Sequence, residues 1–395
     1  MKSIIQLQQL FSSIFNTTQQ PRIFFSPGRI NLIGEHTDYN GGHVFPAAIN
    51  MGTYALAAKR SDNKLNMYSA NFPDEGIIDC DLANLAYHEH HRWANFPKGM
   101  FLYLMNAGYE IRTGADILFY GDIPNSAGLS SSASLELATG TVFEGLYNKK
   151  IDRLEMVKIG QKVENEYIGV NSGIMDQFAV GMGKKNHAIL LNCDTMQYYY
   201  APLPLDGYNF IIIHTNKART LAGSKYNERR LQCENALQDL QSNLNIDSLA
   251  DLTTDTYEAN KHLIRDPIYR KRAKHVVYEN ARTLQALEKL KQHDLKAFGQ
   301  LMKESHISLR DDYEVTGKEL DTIVEAAWEQ SGVIGARMTG AGFGGCAIAI
   351  VKTSQKEQFQ QQVQQIYQER TELDATFYTV TMHDGAKEIT KGVKA

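Results

Sequence analysis

The stretch PGRINLIGEHTDY, at positions 27–39, carries a dense group of functional side chains. An arginine precedes an apolar patch, and Glu35, His36 and Asp38 then crowd a turn that begins at Gly34. Sugars require such side chains, because each hydroxyl needs a hydrogen-bond donor or acceptor once it leaves water. A solvated charged turn explains one of these residues alone, but it explains poorly the whole cluster beside apolar residues. The stretch therefore favours a turn that binds a polyhydroxy ligand.

A second stretch, SAGLSSSAS at 126–134, follows a predicted strand at 117–120 and precedes a predicted helix at 134–147. Small residues let the backbone curl around an anion, and the N-terminus of a helix points free N–H groups at it. The serine hydroxyls can add hydrogen bonds or a magnesium contact. No Gly-Lys-Ser/Thr follows, so this is not a Walker A loop. An ordinary serine-rich helix N-cap is an equally good interpretation of this stretch alone.

A third stretch, TGAGFGG at 339–345, contains four glycines and ends at a predicted strand over 347–351. Such a sequence suits a backbone that bends sharply or approaches a ligand closely. A structural turn into the strand is the commoner explanation of a single glycine loop. By itself this stretch does not decide between the two.

The length and the pattern of elements predict a two-domain α+β protein. A chain of 395 residues exceeds one ordinary core. Predicted strands and helices alternate without a strict βαβ repeat. A weakly marked boundary in the stretch PLPLDG divides the chain into 1–205 and 206–395.

Composition and charge limit the partners and the compartment. The net charge of −4 gives no reason to expect nucleic acid or an anionic membrane as a partner. The pattern of the first residues predicts a short amphipathic helix rather than a signal peptide. No apolar run in the sequence reaches the ~18 residues that are needed to cross a bilayer. Four cysteines without C-x-x-C spacing indicate reduced thiols in the cytoplasm. No oligomerisation segment is apparent, so we expect a monomer.

The three stretches, in this order, resemble the three motifs of the GHMP kinase superfamily. Within it, GRINLIGEHTDYNGG is similar to the signature of the galactokinases, a far more specific pattern than a glycine loop. Further stretches agree with that family: VENEY at 163–167, GIMDQ at 173–177, SKYNERR at 224–230, and residues 305–313. The resemblance extends over about residues 22–386.

This resemblance implies a two-domain GHMP-kinase-like fold with the active site in the cleft between the domains. It also implies ATP-dependent phosphorylation of the C1 hydroxyl of α-D-galactose, with ATP and Mg²⁺ required and galactose and Mg-ATP as small-molecule partners. The roles that it carries over are a catalytic pair, Asp176 and Arg29; a galactose site, Glu35, His36, Thr37, Asp38, Asp176 and Tyr226; an ATP site, Ser69, Ser126, Ala127, Gly128, Leu129, Ser130, Ser131 and Ser132; and a metal site, Ser132 and Glu164.

Phosphoryl transfer needs mainly positioning and charge neutralisation, which one carboxylate, one guanidinium and one metal ion can supply. One departure from the family pattern is Ser126, where the phosphate loop often has glycine. If that position requires a positive φ, serine costs of order 1 kcal/mol.

Two other functions remain open on the sequence. A kinase for N-acetylgalactosamine or another small alcohol would share the phosphate loop and Asp176. A galactose sensor that binds sugar and ATP without turnover is a rival of a different class. Such relatives lose part of the phosphate loop, whereas 128–134 is complete here, which favours catalysis.

Overall fold

The computed structural model describes residues 2–124, 127–203, 206–217 and 222–390, with the side chains of 222–224 left aside. Ser126 and the predicted domain boundary at 205/206 lie outside these residues. The helices are α1 Ile4–Ile14, α2 Asn95–Asn106, α3 Ser131–Leu146, α4 Arg153–Lys162, α5 Met175–Met182, α6 Ala222–Gln241, α7 Thr254–Asn260, α8 Pro267–Lys291, α9 Leu295–Ser308, α10 Lys318–Trp328 and α11 Lys356–Thr371. The strands are β1 Arg22–Asn31, β2 His43–Val44, β3 Pro46–Lys59, β4 Lys64–Ser69, β5 Ile77–Asp81, β6 Ala115–Gly121, β7 His187–Asn192, β8 Tyr198–Pro202, β9 Tyr208–His214, β10 Val333–Thr339, β11 Cys346–Lys352, β12 Thr376–Val380 and β13 Lys387–Glu388.

The first layer is a six-stranded sheet in the order β13-β1-β3-β6-β4-β5. Its pairs are antiparallel except β4 with β6. Every residue of β1 after Arg22 is buried, including the polar residues Ser26, Arg29 and Asn31, so the strand is covered on both faces. Helix α3 packs on β1 and β3 and shares one core with α2, α4 and α5.

A second sheet of four strands, in the order β10-β11-β9-β12, belongs to the later part of the chain. Strand β11 is buried along its length except for Lys352, and β9 has a buried run at 210–214. Helices α10 and α11 and part of α6 and α8 form a separate core against this sheet. The two cores agree with the predicted two-domain α+β class.

The two sheets meet through a third apolar cluster rather than through a polar interface. Residues from β1 and the turn after it, such as Ile30 and Leu32, share this cluster with Ile212 of β9 and Ile348 of β11. A small sheet, β2-β7-β8, lies beside them. Apolar contact across the junction fixes the walls of the cleft relative to each other.

The predicted helices and strands lie close to the observed ones. The sequence does not predict β13, which lies near the end of the chain, pairs with β1 and so belongs to the first sheet. A two-residue strand carries too little pattern for sequence reasoning to detect. Among the described residues, no helix is both long and apolar enough to cross a lipid bilayer.

Candidate active site

A cavity of about 440 Å³ opens between the two sheets, and all three conspicuous sequence stretches line it. Both halves of the chain contribute, since Tyr226, Asn227, Gly340 and Ala341 face residues from the first half. The remaining lining residues are Arg29, Glu35, His36, Asp38, Gly128, Ser130, Ser131, Ser132, Glu164, Val170, Ser172, Gly173, Met175 and Asp176. Stretches that are far apart in sequence are therefore neighbours in the fold.

Arg29 and Asp176 form an ion pair in the wall of this cavity. Arg29 Nε and Nη2 both contact Asp176 Oδ1, at 2.9 and 2.8 Å. Arg29 is buried on β1, whereas the Asp176 side chain, in the first turn of α5, is 28% exposed. A third nitrogen, Arg29 Nη1, donates to the Gly128 carbonyl at 2.7 Å. The guanidinium therefore joins the carboxylate to the serine-rich loop, in the planar geometry that arginine favours.

The serine-rich loop leads directly into α3. Gly128 has φ +72° and Ser130, the residue before the helix, has φ +62°, so the chain makes left-handed turns there. The Ser130 hydroxyl is buried and has no hydrogen-bond partner among the described residues. Ser131 and Ser132 begin the helix, whose free N–H groups form an anion-binding end. A buried, unpaired hydroxyl beside that end suits an oxygen-rich ligand such as a phosphate chain.

The glycine loop packs against the serine-rich loop. A Cβ at Gly340, whose φ is +84°, would lie 2.6 Å from the Gly128 carbonyl oxygen. Only glycine permits this approach of two backbones. The sequence left open whether 339–345 is a turn or a ligand loop; the structure shows a tight turn, and Gly340 and Ala341 also line the cavity.

Glu164 lies beside the start of α3. Its carboxylate accepts hydrogen bonds from the hydroxyls of Ser132 and Ser172, the latter at 2.5 Å. Burial raises the pKa of Glu164, and these hydroxyls oppose that shift. Ser132 and Glu164 thus provide hydroxyl and carboxylate oxygens, the hard ligands that Mg²⁺ prefers.

The two acidic residues of the turn after β1, Glu35 and Asp38, lie in different surroundings. Glu35 is buried and its Oε1 accepts from the Gly340 amide at 2.7 Å and from Arg337 Nη1 at 3.4 Å. Burial raises the pKa of Glu35 and the Arg337 charge opposes the shift. Asp38 is half-buried and packs on Gly173, where a Cβ would lie 1.9 Å from Asp38 Oδ2. Burial, together with the neighbouring Asp176 charge, raises the pKa of Asp38 to about 7.

Aromatic rings close the same side of the cavity. His36 contacts the rings of Tyr226 and Tyr313, and its Nδ1 lies 2.8 Å from the Tyr39 hydroxyl. Burial lowers the pKa of His36 to about 3, so its imidazole is neutral at physiological pH. The Tyr39 hydroxyl lies 2.8 Å from the Tyr313 hydroxyl, which in turn lies 3.1 Å from the Cys233 thiol. This chain of hydroxyls fixes the ring of His36 from behind.

Some predicted site residues do not face the cavity. Thr37 Oγ1 donates within its own turn, to the carbonyls of Gly34 and His43. Ala127 and Leu129 are buried, and the Leu129 carbonyl accepts from the Arg29 amide at 3.2 Å. Ser69 is buried at the end of β4 and its hydroxyl accepts from the Asn71 amide. The binding roles of these four residues remain predictions.

Sequence reasoning missed several residues that shape the site. Ser172 binds Glu164, Gly173 supports Asp38, and Arg337 pairs with Glu35. Arg337 belongs to β10, an unremarkable stretch of sequence. Only Gly173 lies in a stretch that had drawn attention, GIMDQ at 173–177.

Comparison with known proteins identifies the class first. The chain matches the description "GHMP kinases N terminal domain" over residues 95–184 and "GHMP kinases C terminal" over 286–369. A mevalonate kinase of 20% identity superposes with a TM-score of 0.64 over 92% of this chain and 99% of its own, which shows the shared fold. The protein is a kinase of the GHMP superfamily.

A narrower group follows from three more matches. Residues 9–59 match the description "Galactokinase galactose-binding signature". The chain is 57% identical to a galactokinase of Exiguobacterium sibiricum over 98% of both chains, and 52% identical to that of Bacillus subtilis over 97% and 98%. The structure of Lactococcus lactis galactokinase complexed with galactose is 50% identical and has a TM-score of 0.95 over 97% of this chain and 98% of that one. The chain belongs to the galactokinase family, and it is an ATP-dependent sugar kinase.

Proposed function

We propose that the protein transfers the γ-phosphoryl group of Mg-ATP to the C1 hydroxyl of α-D-galactose, giving galactose 1-phosphate and ADP. The observation that carries this proposal is the Arg29–Asp176 ion pair, placed between the serine-rich loop and the turn 34–38. A phosphate donor at one side of the pair and a sugar at the other would meet at a carboxylate and a guanidinium. In-line phosphoryl transfer requires this kind of positioning.

Asp176 is the proposed base. Its Oδ1 is held by Arg29, while Oδ2 takes no part in that pair, so one oxygen is oriented and the other can accept the proton of the sugar hydroxyl. A carboxylate is a weak base toward an alcohol, so Asp176 orients the nucleophile and receives its proton late in the transfer. Arg29 stays charged throughout and neutralises the charge on the moving phosphoryl group.

The serine-rich loop is the proposed cradle of the ATP phosphates. Gly128 and Ser130–Ser132 line the cavity at the N-terminus of α3, which favours an anion. We assign Ser126, Ala127, Leu129 and Ser69 to the same nucleotide site through the family pattern. Ser132 and Glu164 would hold Mg²⁺, which when bound neutralises phosphate charge. The hydroxyl and carboxylate oxygens at this point fit such an ion.

The turn 34–38 and Tyr226 are the proposed galactose site. Glu35, His36 and Asp38 offer a hydrogen-bond donor and several acceptors along one wall of the cavity, as a polyhydroxy ligand needs. Thr37 contributes through the turn that it stabilises. The bound sugar in the Lactococcus lactis relative, together with the high identity, supports galactose as the substrate.

The rival functions differ in what they would do with this site. A kinase for N-acetylgalactosamine would have to accommodate an N-acetyl group at C2, and a sensor would bind without turnover. The intact Arg29–Asp176 pair favours catalysis over sensing. We further propose that the protein acts as a cytoplasmic monomer.

The test is ADP release by the purified protein with Mg-ATP and one acceptor at a time. The acceptors are galactose, glucose, N-acetylgalactosamine and mevalonate, with a reaction lacking acceptor as the baseline. Turnover on galactose well above all others is expected. Turnover mainly on another acceptor would overturn the substrate, and galactose binding without ADP release would favour the sensor.

A further inference from the structure

The recognition turn after β1 presents its backbone amides to a buried carboxylate from the second half of the chain. Gly34 has φ +91° and His36 has φ +62°, a local backbone that turns successive N–H groups to one side. Successive amides in such a turn form a small concave site for an anion. The anion here is Glu279 of α8: its Oε1 accepts from the Gly34 amide at 2.9 Å and from the Glu35 amide at 3.3 Å.

The Glu279 carboxylate is matched on its other sides as well. Ser305 Oγ donates to Oε1 at 2.5 Å and Arg282 Nε donates to Oε2 at 2.9 Å. Arg337 Nη2 lies 3.9 Å from Oε1. The side chain has no exposed surface, and the pKa of Glu279 is lowered to about 2 although burial alone would raise it. A fully buried carboxylate remains charged only when cations and donors surround it this completely.

The same face of α8 contacts the turn at further points. His275 Nε2 donates to the Glu35 carbonyl at 3.0 Å. Asn280 Oδ1 accepts from the His43 amide at 2.8 Å. Glu279 lies between these two contacts on the helix, one turn after His275. One helix of the second half therefore holds the backbone of Glu35, whose side chain lines the cavity, and of Gly34 and His43 beside it.

We propose that Glu279 is a positioning residue for sugar recognition, acting through the backbone of Gly34 and Glu35. In the part of the chain that the structure describes, its hydrogen bonds and ion pairs go neither to the proposed phosphate loop nor to the Arg29–Asp176 pair. Without the charge of Glu279, the backbone of the turn 34–36 would be held less firmly. The side chains of Glu35 and His36 would then no longer be oriented toward the sugar. The phosphate end, built on β1, α3 and α5, would keep its geometry. This inference rests on the proposed function, since it assigns the turn to galactose.

Glu279→Gln is the primary test, because it keeps the shape and removes the charge. The side-chain N–H group of the glutamine then faces a group that donated a hydrogen bond to the carboxylate. The hydrogen bonds that hold the turn are therefore weakened. The expected result is an increase of about ten-fold or more in the KM for galactose, with the KM for ATP within about two-fold of wild type. The increase in the melting temperature on adding galactose without nucleotide is expected to shrink in parallel.

Glu288→Gln is the matched control. Glu288 lies on the same helix, is 57% exposed and pairs with the exposed Lys291 in the following turn. The KM for galactose and the KM for ATP are expected to equal those of the wild type in this control. Ser305→Ala is a milder second variant that removes one donor to Glu279, and it is expected to raise the galactose KM by about three-fold without changing the KM for ATP. It decides the question if Glu279→Gln does not fold.

The outcomes separate the inference from the function on which it rests. A selective rise in the galactose KM supports the positioning role. An unchanged galactose KM, or a parallel rise in the KM for galactose and for ATP, would overturn it and leave a purely structural role. Absence of galactose-dependent ADP release from the wild-type protein would overturn the proposed function and this inference together.

Discussion

The two ends of the cavity are built in different ways. At the proposed phosphate end, Arg29 and Asp176 lie on β1 and α5, and the serine-rich loop leads into α3, which shares a core with α5. At the sugar end, the turn 34–38 is held by Glu279, Arg337 and Gly340 from the second half of the chain. The first end belongs mainly to the first half of the chain, with Gly340 of the second half against Gly128, whereas the turn at the second end is held by several hydrogen bonds from the second half. Changes at the phosphate end are therefore expected to lower the rate, and changes at the sugar end to lower the affinity.

The largest effect is expected for Asp176→Asn. The amide cannot accept the hydroxyl proton as a carboxylate does, so kcat is expected to fall by about 10³-fold. Galactose binding, measured by calorimetry without nucleotide, is expected to stay within a few-fold of wild type because the turn 34–38 is unchanged. A variant that keeps more than a tenth of the wild-type kcat would remove Asp176 from its proposed role.

Glu164→Gln tests the metal at the phosphate end. We expect the Mg²⁺ concentration for half-maximal rate to rise by about ten-fold or more, because the carboxylate is replaced by a weaker ligand. Direct Mn²⁺ binding, followed by its paramagnetic effect on water, gives a readout that is independent of activity. Glu166→Gln, an exposed neighbour, serves as the control. Equal metal requirements in the two variants would place the metal elsewhere.

Asp38 offers a pH test at the sugar end. Burial and the Asp176 charge raise the pKa of Asp38 to about 7, so its proton leaves between pH 6 and pH 8. The ionised carboxylate can accept two sugar hydroxyls, so galactose affinity is expected to increase as the pH rises through this window. Asp38→Asn is expected to bind more weakly at pH 8 and to show no such pH dependence. A wild-type affinity that does not change between pH 6 and pH 8 would contradict this assignment.

The same pKa shift predicts a change of stability. The folded protein keeps a proton on Asp38 that the unfolded chain releases near the ordinary value of 3.8. The corresponding contribution to stability is complete below that value and is lost as the pH rises to about 7. Without sugar, Asp38→Asn is therefore expected to melt above wild type by a few degrees at pH 8. At pH 4 the two proteins are expected to melt together, and a constant difference at both pH values would count against the shift.

The smallest effect is expected at the hydroxyl chain behind His36. Tyr313→Phe removes the hydroxyl that links Tyr39 to Cys233. The loss of one buried hydrogen-bonding group costs about 1 kcal/mol in the free energy of unfolding. Chemical denaturation measures that cost, and the galactose KM is expected to change by less than about three-fold. A large change in the KM for ATP would show that the two ends are not independent.

The sequence predicts the residues that line the cavity better than the residues that hold them in place, for a physical reason. Small residues before a helix, and an arginine on a buried strand, leave local patterns that can be recognised. Glu279 and Arg337 leave none, because a buried charge in an ordinary helix or strand is defined only by its partners, which are hundreds of residues away. The sequence also could not show that Thr37 supports its own turn instead of facing the cavity, since a threonine hydroxyl serves either role.

The position of the phosphate on the product shows which sugar hydroxyl meets Asp176 and Arg29. In the proposed complex, the C1 hydroxyl of α-D-galactose lies against Asp176 and Arg29, with the other hydroxyls toward the turn 34–38. Purified protein is incubated with Mg-ATP and galactose, and the product is examined by phosphorus and proton nuclear magnetic resonance. The predicted result is a phosphate coupled to the anomeric proton in the α configuration. Phosphate on C6, or on any other hydroxyl, would contradict the proposed orientation of the sugar.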